Sequence, residues 1–132
     1  MSSNSTRARA VIAQMSARGW RLALAESCTG GLISATITGE SGASRILDAS
    51  ITAYANEAKE ALLGVPKQMM IDYGAVSAQV ALHMAQAARA ATMCAGAGPR
   101  RCTMPPIASH RRAAAAICRL HGTSFAPGAN WP

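Results

Sequence analysis

Two short segments of this sequence combine residue types that could carry out nucleophilic chemistry. In the first, Ser27 and Cys28 follow the apolar run at residues 22–25 and are followed by a glycine pair, in the segment Glu-Ser-Cys-Thr-Gly-Gly. A helix that begins at such a turn has backbone N–H groups without intrahelical acceptors, which can stabilise an oxyanion or hold a phosphate. Ser27 is therefore a candidate nucleophile, and Cys28 is a rival because thiolates are stabilised near helix N-termini.

The same turn has a structural explanation. Ser27 or Thr29 would cap the helix, and the glycines would permit close packing of the helix on the sheet. On spacing alone this explanation is favoured, since serines that cap helices are far commoner than nucleophiles. A buried and unreactive Cys28 is likewise the more frequent outcome.

The second segment could supply a base. It reads Tyr-Ala-Asn-Glu-Ala-Lys from Tyr54 to Lys59 and follows another apolar run. With Asn56 as the N-cap of a helix, Lys59 lies in the first turn, where the helix dipole disfavours a cation by about 0.3–1 kcal/mol. The dipole would ease loss of the lysine proton, as a base partner to a serine requires. The alternative is a solvated surface lysine, because helix boundaries read from sequence are uncertain by a residue or two.

Hydrophobic periodicity predicts the elements that would position these side chains. Helices are expected over residues 5–18, 32–38, 56–63 and 67–73 and from the N-cap Ser77 to about residue 91, with strands at residues 22–25 and 46–54. This alternation predicts an α/β domain with a central sheet. Because the carboxyl ends of parallel strands share one edge, Ser27 and Tyr54 are expected to lie near each other.

Residues 92–132 differ in composition from the first 91. The whole chain has 13 Lys and Arg against 6 Asp and Glu. Residues 92–132 contain five Arg and no acidic residue, so much of the positive charge lies in this segment. We expect residues 1–91 to form the α/β domain and residues 92–132 a basic tail, poorly ordered or with one helix near residues 109–120. Nucleic-acid binding through the tail is the weakest interpretation, since no aromatic residues for base stacking interleave with the arginines.

Length and composition exclude several classes of protein. The 132 residues suit one domain, and no apolar run reaches the roughly 20 residues of a membrane span. Without a secretory segment, a cytoplasmic location with reduced cysteines is expected. Cys118 and His121 have the spacing of a zinc half-site, but Cys94 and Cys102 are too far apart for a zinc knuckle, so no metal site is predicted.

Four segments resemble, in order and spacing, the C-terminal domain of the CinA competence/damage-inducible family, the nicotinamide-nucleotide amidohydrolases. They are residues 25–31, 53–59, 62–66 and 73–77, and the resemblance covers residues 22–91. It implies a three-layer α/β/α hydrolase domain that converts nicotinamide mononucleotide to nicotinic acid mononucleotide and ammonia. This pyridine-nucleotide salvage reaction needs no metal or other cofactor.

The resemblance also implies roles for individual residues. Ser27 would be the nucleophile, Lys59 its base and Tyr54 a supporting hydroxyl. The residues that would shape the pocket or bind the substrate are Thr29, Gly30, Gly31 and Asn56.

The resemblance ends in the tail. Family members continue with a strand, a glycine-rich loop and a Lys-Pro-Val-Gly segment, whereas here residues 95–99 echo the loop early and the later segment is absent. A shifted reading frame in a GC-rich gene is one hypothesis, which the coding DNA would test. The departure predicts a fold that is incomplete at its C-terminal end, with exposed sheet edges that favour self-association.

Three functions therefore stay open. The chain could be an active amidase, a truncated and inactive family member, or a non-catalytic nucleotide-binding or interaction domain. The last would keep the glycine-rich turn as an anion cradle.

Overall fold

The computed structural model describes residues 3–93 and, as backbone, residues 115–119. In chain order the elements are α1 (Ser3–Ala17), β1 (Leu22–Glu26), α2 (Leu32–Thr38), a short 3₁₀ helix (Ala43–Arg45), β2 (Leu47–Thr52), α3 (Asn56–Leu63), α4 (Lys67–Tyr73), α5 (Ala78–Met93) and β3 (Ala115–Arg119).

The strands form a sheet in the order β2-β1-β3. β1 and β2 run parallel, so the chain must cross over between them, and α2 lies in that connection. β3 pairs antiparallel with the other edge of β1. β1 is central among the described strands, and all five of its residues are buried, whereas burial alternates along β2.

Side chains of β1 point alternately into two apolar clusters, one on each face of the sheet. Leu22 and Leu24 pack with residues of α1, α2 and the 3₁₀ helix. Ala23 and Ala25 pack with residues of α3, α4 and α5. Helices therefore cover both faces of the sheet, which confirms the predicted α/β/α class.

Most helices have the predicted bounds, since their apolar spacing and end signals agree. α2, α3 and α4 coincide with the predicted ranges. At the start of α5, the N–H of Val80 donates a hydrogen bond to the Ser77 hydroxyl, 3.3 Å away, as expected of an N-cap. In α1 the expected apolar face is buried at Ile12 and Met15, but Val11 lies on the exposed side.

In the middle of the chain, the predicted bounds of one strand and the predicted N-cap of one helix are wrong. β2 is shorter than residues 46–54, because Ile46 ends the 3₁₀ helix and the ladder stops at Thr52. The N-cap of α3 is Ala55 and not Asn56: the backbone of Ala55 is extended, with φ −72° and ψ 152°, and Asn56 is already helical. No side chain caps this helix end.

The predicted helix at residues 109–120 is wrong over Ala115–Arg119, which form β3. Without β3, the second edge of β1 would be left with unpaired backbone N–H and C=O groups. Strand pairing provides their hydrogen-bond partners, and this outweighs local helix preference. The other predictions for the tail fall at residues 94–114 and 120–132, outside the described residues.

Candidate functional site

The carboxyl ends of β1 and β2 meet at one edge of the sheet. Glu26, the last residue of β1, is the register partner of Thr52, the last residue of β2. One residue further, the N–H of Ala53 donates to the carbonyl oxygen of Glu26 over 2.9 Å. Ser27 and Tyr54 therefore leave the sheet side by side, at the edge where parallel sheets usually bind ligands.

Ser27 and Lys59 are both buried, each with 2% of its surface exposed. The backbone N–H of Lys59 bonds to the carbonyl oxygen of the N-cap Ala55 over 3.0 Å, so the lysine lies in the first turn of α3, as predicted. It is not a solvated surface lysine. Among the described residues, no carboxylate lies within ion-pair distance of its side chain.

The side-chain nitrogen of Lys59 donates a hydrogen bond to the backbone carbonyl of Ala75, 3.2 Å away. Within residues 3–93, no hydrogen bond joins it to the Ser27 hydroxyl. Ala75 lies in the segment between α4 and α5, within the family-like motif at residues 73–77. That segment therefore contributes an acceptor for the candidate base.

Other residues with expected roles at the site face solvent. Tyr54 is 72% exposed, and Asn56 and Cys28 are exposed as well. Within residues 3–93, no hydrogen bond links the Tyr54 hydroxyl to Ser27 or Lys59. Of the predicted site residues, Ser27 and Lys59 are therefore buried, whereas Tyr54 and Asn56 are exposed, as is Cys28.

Both glycines of the turn need the conformational freedom that glycine provides. Gly30 and Gly31 have φ of 62° and 99°. A Cβ on Gly31 would lie 3.4 Å from the Thr52 hydroxyl oxygen, so the turn packs closely on the end of β2. Thr52 was not identified from the sequence, where it reads as one more residue of a strand.

Glu26 provides the cap of α2 that was expected from Ser27 or Thr29. Its carboxylate accepts hydrogen bonds from the Thr29 hydroxyl at 2.8 Å and from the N–H groups of Ile33 and Ser34 at 2.9 and 3.1 Å. The N-cap residue itself, Gly31, offers no side chain. An acid before a glycine-rich helix start was the available signal, since carboxylates stabilise helix N-termini.

These contacts set the ionisation of Glu26. Burial acts to raise the pKa of Glu26, but hydrogen bonds from the Ile33 N–H, the Thr29 hydroxyl and Ser34 outweigh it, so the pKa lies below its ordinary value. Glu26 is fully buried, and its negative charge is stabilised by hydrogen bonds from the N–H groups of Ile33 and Ser34.

The Glu26 carboxylate changes where an anion could bind. The N–H groups of Ile33 and Ser34 at the start of α2 already have an acceptor. Within residues 3–93, the N–H groups of Thr29 and Gly31 form no hydrogen bond. The donors open to an oxyanion or a phosphate therefore belong to the turn and not to the helix.

The described part of the chain shows neither a candidate metal cluster nor a candidate membrane span. Residues 3–93 contain no group of three His, Cys, Asp or Glu side chains that could hold a metal ion. In the same range, no helix is both long and apolar enough to cross a membrane. The cysteine and histidine pair considered for zinc, Cys118 and His121, lies in the part whose side chains are not described.

Curated relatives share this sequence at about half of their aligned positions. A CinA-like protein from Anaeromyxobacter sp. is 53% identical over 81 residues, which are 61% of this chain and 20% of the relative. A CinA-like protein from Geobacter sulfurreducens is 56% identical over 72 residues, or 54% of this chain and 17% of the relative. The chain thus spans about a fifth of the length of the curated relatives it matches.

Solved structures share the fold. The competence/damage inducible protein CihA from Agrobacterium tumefaciens has a TM-score of 0.65 at 32% identity, covering 80% of this chain and 69% of that one. The competence damage-inducible protein A from Klebsiella pneumoniae has a TM-score of 0.67 at 28% identity, covering 70% and 57%.

A family model also matches the chain, that of the CinA C-terminal domain, over residues 4–97. This match is longer than the resemblance over residues 22–91 and includes α1, which packs against one face of the sheet. The fold, the relatives and the family model agree, and the chain belongs to the CinA C-terminal domain family.

Proposed function

We propose that this chain hydrolyses the amide of nicotinamide mononucleotide to nicotinic acid mononucleotide and ammonia. The observation that supports this most directly is the burial of Ser27, which follows the end of β1, and of Lys59, in the helix that follows β2; each is 2% exposed. A buried lysine without a carboxylate partner among the described residues is unusual unless it has a task, because burying such a group is costly.

The proposed reaction proceeds in two steps. The Ser27 oxygen attacks the amide carbonyl carbon while Lys59 takes the hydroxyl proton, giving a tetrahedral oxyanion. The oxyanion collapses, the carbon–nitrogen bond breaks, and the leaving nitrogen receives that proton and departs as ammonia. Water then attacks the ester on Ser27 while Lys59 takes one of its protons and passes it to the serine oxygen, which restores the serine hydroxyl. The acid product loses its remaining proton to solvent and leaves as the carboxylate.

Groups around the turn would support these steps. The unpaired N–H groups of Thr29 and Gly31 would stabilise the oxyanion, where one donor typically contributes a factor of about 10²–10³ in rate. Gly30 lets the substrate approach the backbone. A Cβ at this position would have no protein atom within 4 Å, so it would occupy the open space that the substrate would use. Tyr54 and Asn56, both exposed, would contact the substrate from the open side.

For the first step, Lys59 must exchange its acceptor. Its side-chain nitrogen donates a hydrogen bond to the Ala75 carbonyl, whereas the reaction requires that nitrogen within hydrogen-bond distance of the Ser27 oxygen. Hydrogen bonds between catalytic groups often form only when substrate is bound, so a rotation of this flexible side chain on substrate binding is compatible with the proposal.

The hydrogen bond from Lys59 to Ala75 also favours a second candidate, a non-catalytic nucleotide-binding domain. In that case Lys59 would serve to hold the segment before α5 against α3, and the turn would bind a phosphate without turnover. The two candidates differ in whether Ser27 reacts.

Ammonia release from nicotinamide mononucleotide by the purified chain separates these candidates. We expect release by wild type, none by Ser27→Ala, and wild-type release by the control Ser41→Ala, which alters an exposed loop serine. No release from a folded wild-type chain that still binds the nucleotide would replace the amidase proposal by the binding domain. Equal release by wild type and Ser27→Ala would exclude Ser27 as the nucleophile.

A further inference from the structure

We propose that Glu26 is a positioning residue for the Ser27 nucleophile, because its buried carboxylate joins the end of β1 to both the glycine-rich turn and the start of α2. This inference rests on the proposed function, in which Ser27 reacts. Glu26 touches neither substrate nor the reacting atoms in that scheme. It would act through the geometry of the turn.

Hydrogen bonds of Glu26 reach the structures on either side of Ser27. On the sheet side, its backbone carbonyl accepts from the Ala53 N–H at 2.9 Å and fixes the end of β1 to β2. On the helix side, one carboxylate oxygen accepts from the Thr29 hydroxyl at 2.8 Å and the Ile33 N–H at 2.9 Å. The other oxygen accepts from the Ser34 N–H at 3.1 Å.

The turn itself lies between these anchors. The N–H of Gly30 donates to the carbonyl oxygen of Ser27 over 2.9 Å, which closes the turn, and the Thr29 hydroxyl ties it back to Glu26. Ser27 is thus held at both ends of a short segment whose glycines would otherwise be flexible. An error of about 1 Å in the position of a reacting group can cost about 10²-fold in rate, so such anchoring matters for catalysis.

The geometry requires a carboxylate of this length. In a glutamine, the amide nitrogen would replace one oxygen and place a donor against an N–H donor, either of Ser34 or of Ile33. An aspartate is one methylene shorter and would not reach α2 from the same backbone position. No conservative substitution therefore keeps all three hydrogen bonds.

The test compares Glu26→Gln with Glu40→Gln, both as full-length chains. Glu40 is a suitable control because its carboxylate also accepts side-chain hydrogen bonds, from Ser5 and Arg9, but ties α1 to the loop after α2. For Glu26→Gln we expect kcat to fall by about tenfold or more with KM within about threefold, whereas Glu40→Gln keeps both constants near wild type. Folded Glu26→Gln with wild-type kcat, or an equal loss of kcat in Glu40→Gln, would overturn the proposal.

A second variant covers the case in which Glu26→Gln does not fold. Thr29→Val removes one of the three hydrogen bonds and keeps the shape of the side chain and both N–H contacts to α2. A fall in kcat at nearly constant KM would support the positioning role. A rise in KM alone, as expected if Thr29 only contacts substrate, or no change at all, would refute it.

A readout without turnover separates this inference from the amidase proposal. Cys28 is an exposed free thiol inside the turn, and its alkylation rate by iodoacetamide can be followed by peptide mass spectrometry. We expect the rate in Glu26→Gln to differ more than about threefold from wild type, and the rate in Glu40→Gln to stay unchanged, since thiol reactivity depends on the local turn. If the alkylation rates differ in this way but wild type releases no ammonia, only the amidase proposal is rejected. Equal alkylation rates in all three chains would reject the positioning role of Glu26.

Discussion

The buried side chain of Lys59 and the backbone carbonyl of Ala75 form a hydrogen bond of 3.2 Å between α3 and the segment that precedes α5. The two residues are 16 positions apart in the chain. This bond fixes the position of the side-chain nitrogen of the candidate base. It also connects the candidate base to the family-like motif at residues 73–77, in which the sequence analysis named no site residue.

Replacing Lys59 by methionine should separate the chemical role of this nitrogen from its packing role. Lys59→Met keeps the length of the side chain but loses the hydrogen bond to Ala75, which contributes about 0.5–1.5 kcal/mol to stability. The methionine variant also avoids the cost of burying the lysine amino group, which offsets that loss. We therefore expect the free energy of unfolding to stay within about 1 kcal/mol of wild type, while ammonia release falls about 10²-fold or more. Urea denaturation and the ammonia assay measure the two effects, with Lys67→Met on the exposed start of α4 as the control. Undiminished release by Lys59→Met would contradict the assignment of Lys59 as base.

The cap of α5 predicts a loss of stability at Ser77. Ser77→Ala removes the acceptor for the Val80 N–H and should lower the free energy of unfolding by about 1 kcal/mol. Urea denaturation measures this, with Ser41→Ala in an exposed loop expected within about 0.5 kcal/mol of wild type. Equal values for the two variants would show that the Ser77 hydroxyl does not stabilise α5.

The position of Gly31 predicts that alanine is poorly tolerated there. Gly31→Ala would force a Cβ onto a backbone with φ 99° and bring it 3.4 Å from the Thr52 hydroxyl oxygen, so we expect a loss of about 2 kcal/mol or more in the free energy of unfolding. The control Gly19→Ala has φ 63° with nothing within 4 Å and should lose only about 1 kcal/mol. Chemical denaturation of the two variants shows which one loses more free energy of unfolding. A smaller loss for Gly31→Ala than for Gly19→Ala would contradict the close packing of the turn on β2.

The depressed pKa of Glu26 predicts acid sensitivity. Because the folded-state pKa lies below the ordinary value of 4.5, the stability contributed by the ionised form is fully present above pH 4.5 and is lost as pH falls through the folded-state pKa. We expect the melting temperature of the wild type to drop in acid. The melting temperature of Glu26→Gln should be lower than that of the wild type at neutral pH but should decrease less steeply as the pH falls. Thermal denaturation between about pH 7 and about pH 3 measures the slopes. Ser77→Ala, which destabilises without changing a titratable group, should keep the wild-type slope, and an identical slope in Glu26→Gln would contradict the prediction.

Much of the architecture could be predicted from local sequence patterns. The apolar faces of the helices and the short runs of the strands follow from periodicity, and the Ser77 cap follows from residue type. The sharp ends of α3 and α4 coincide with glycines whose positive φ stops a helix, Gly64 and Gly74. Each of these features depends on residues within a few positions of one another.

The contacts at the candidate site were less predictable. That Ser27 and Tyr54 would leave the sheet at one edge followed from parallel strand order. The burial of Ser27 and Lys59, the outward position of Tyr54 and the lysine bond to Ala75 did not. The cap of α2 was expected from Ser27 or Thr29, next to the helix, and comes from Glu26 at the end of β1, seven and eight positions before the amides it binds. Such partners meet only after the sheet and helices have packed.

The sequence by itself determined the alternating elements, the two-sided burial of β1 and the family motifs that carry Ser27 and Lys59, because periodicity and turn chemistry are local properties. Only the tertiary structure decided that a buried glutamate anchors the glycine-rich turn, that Lys59 rests on Ala75, and that residues Ala115–Arg119 pair as a strand with β1. The physical reason is that a buried polar group must find a partner, and which partner it finds depends on what the fold brings within about 3 Å.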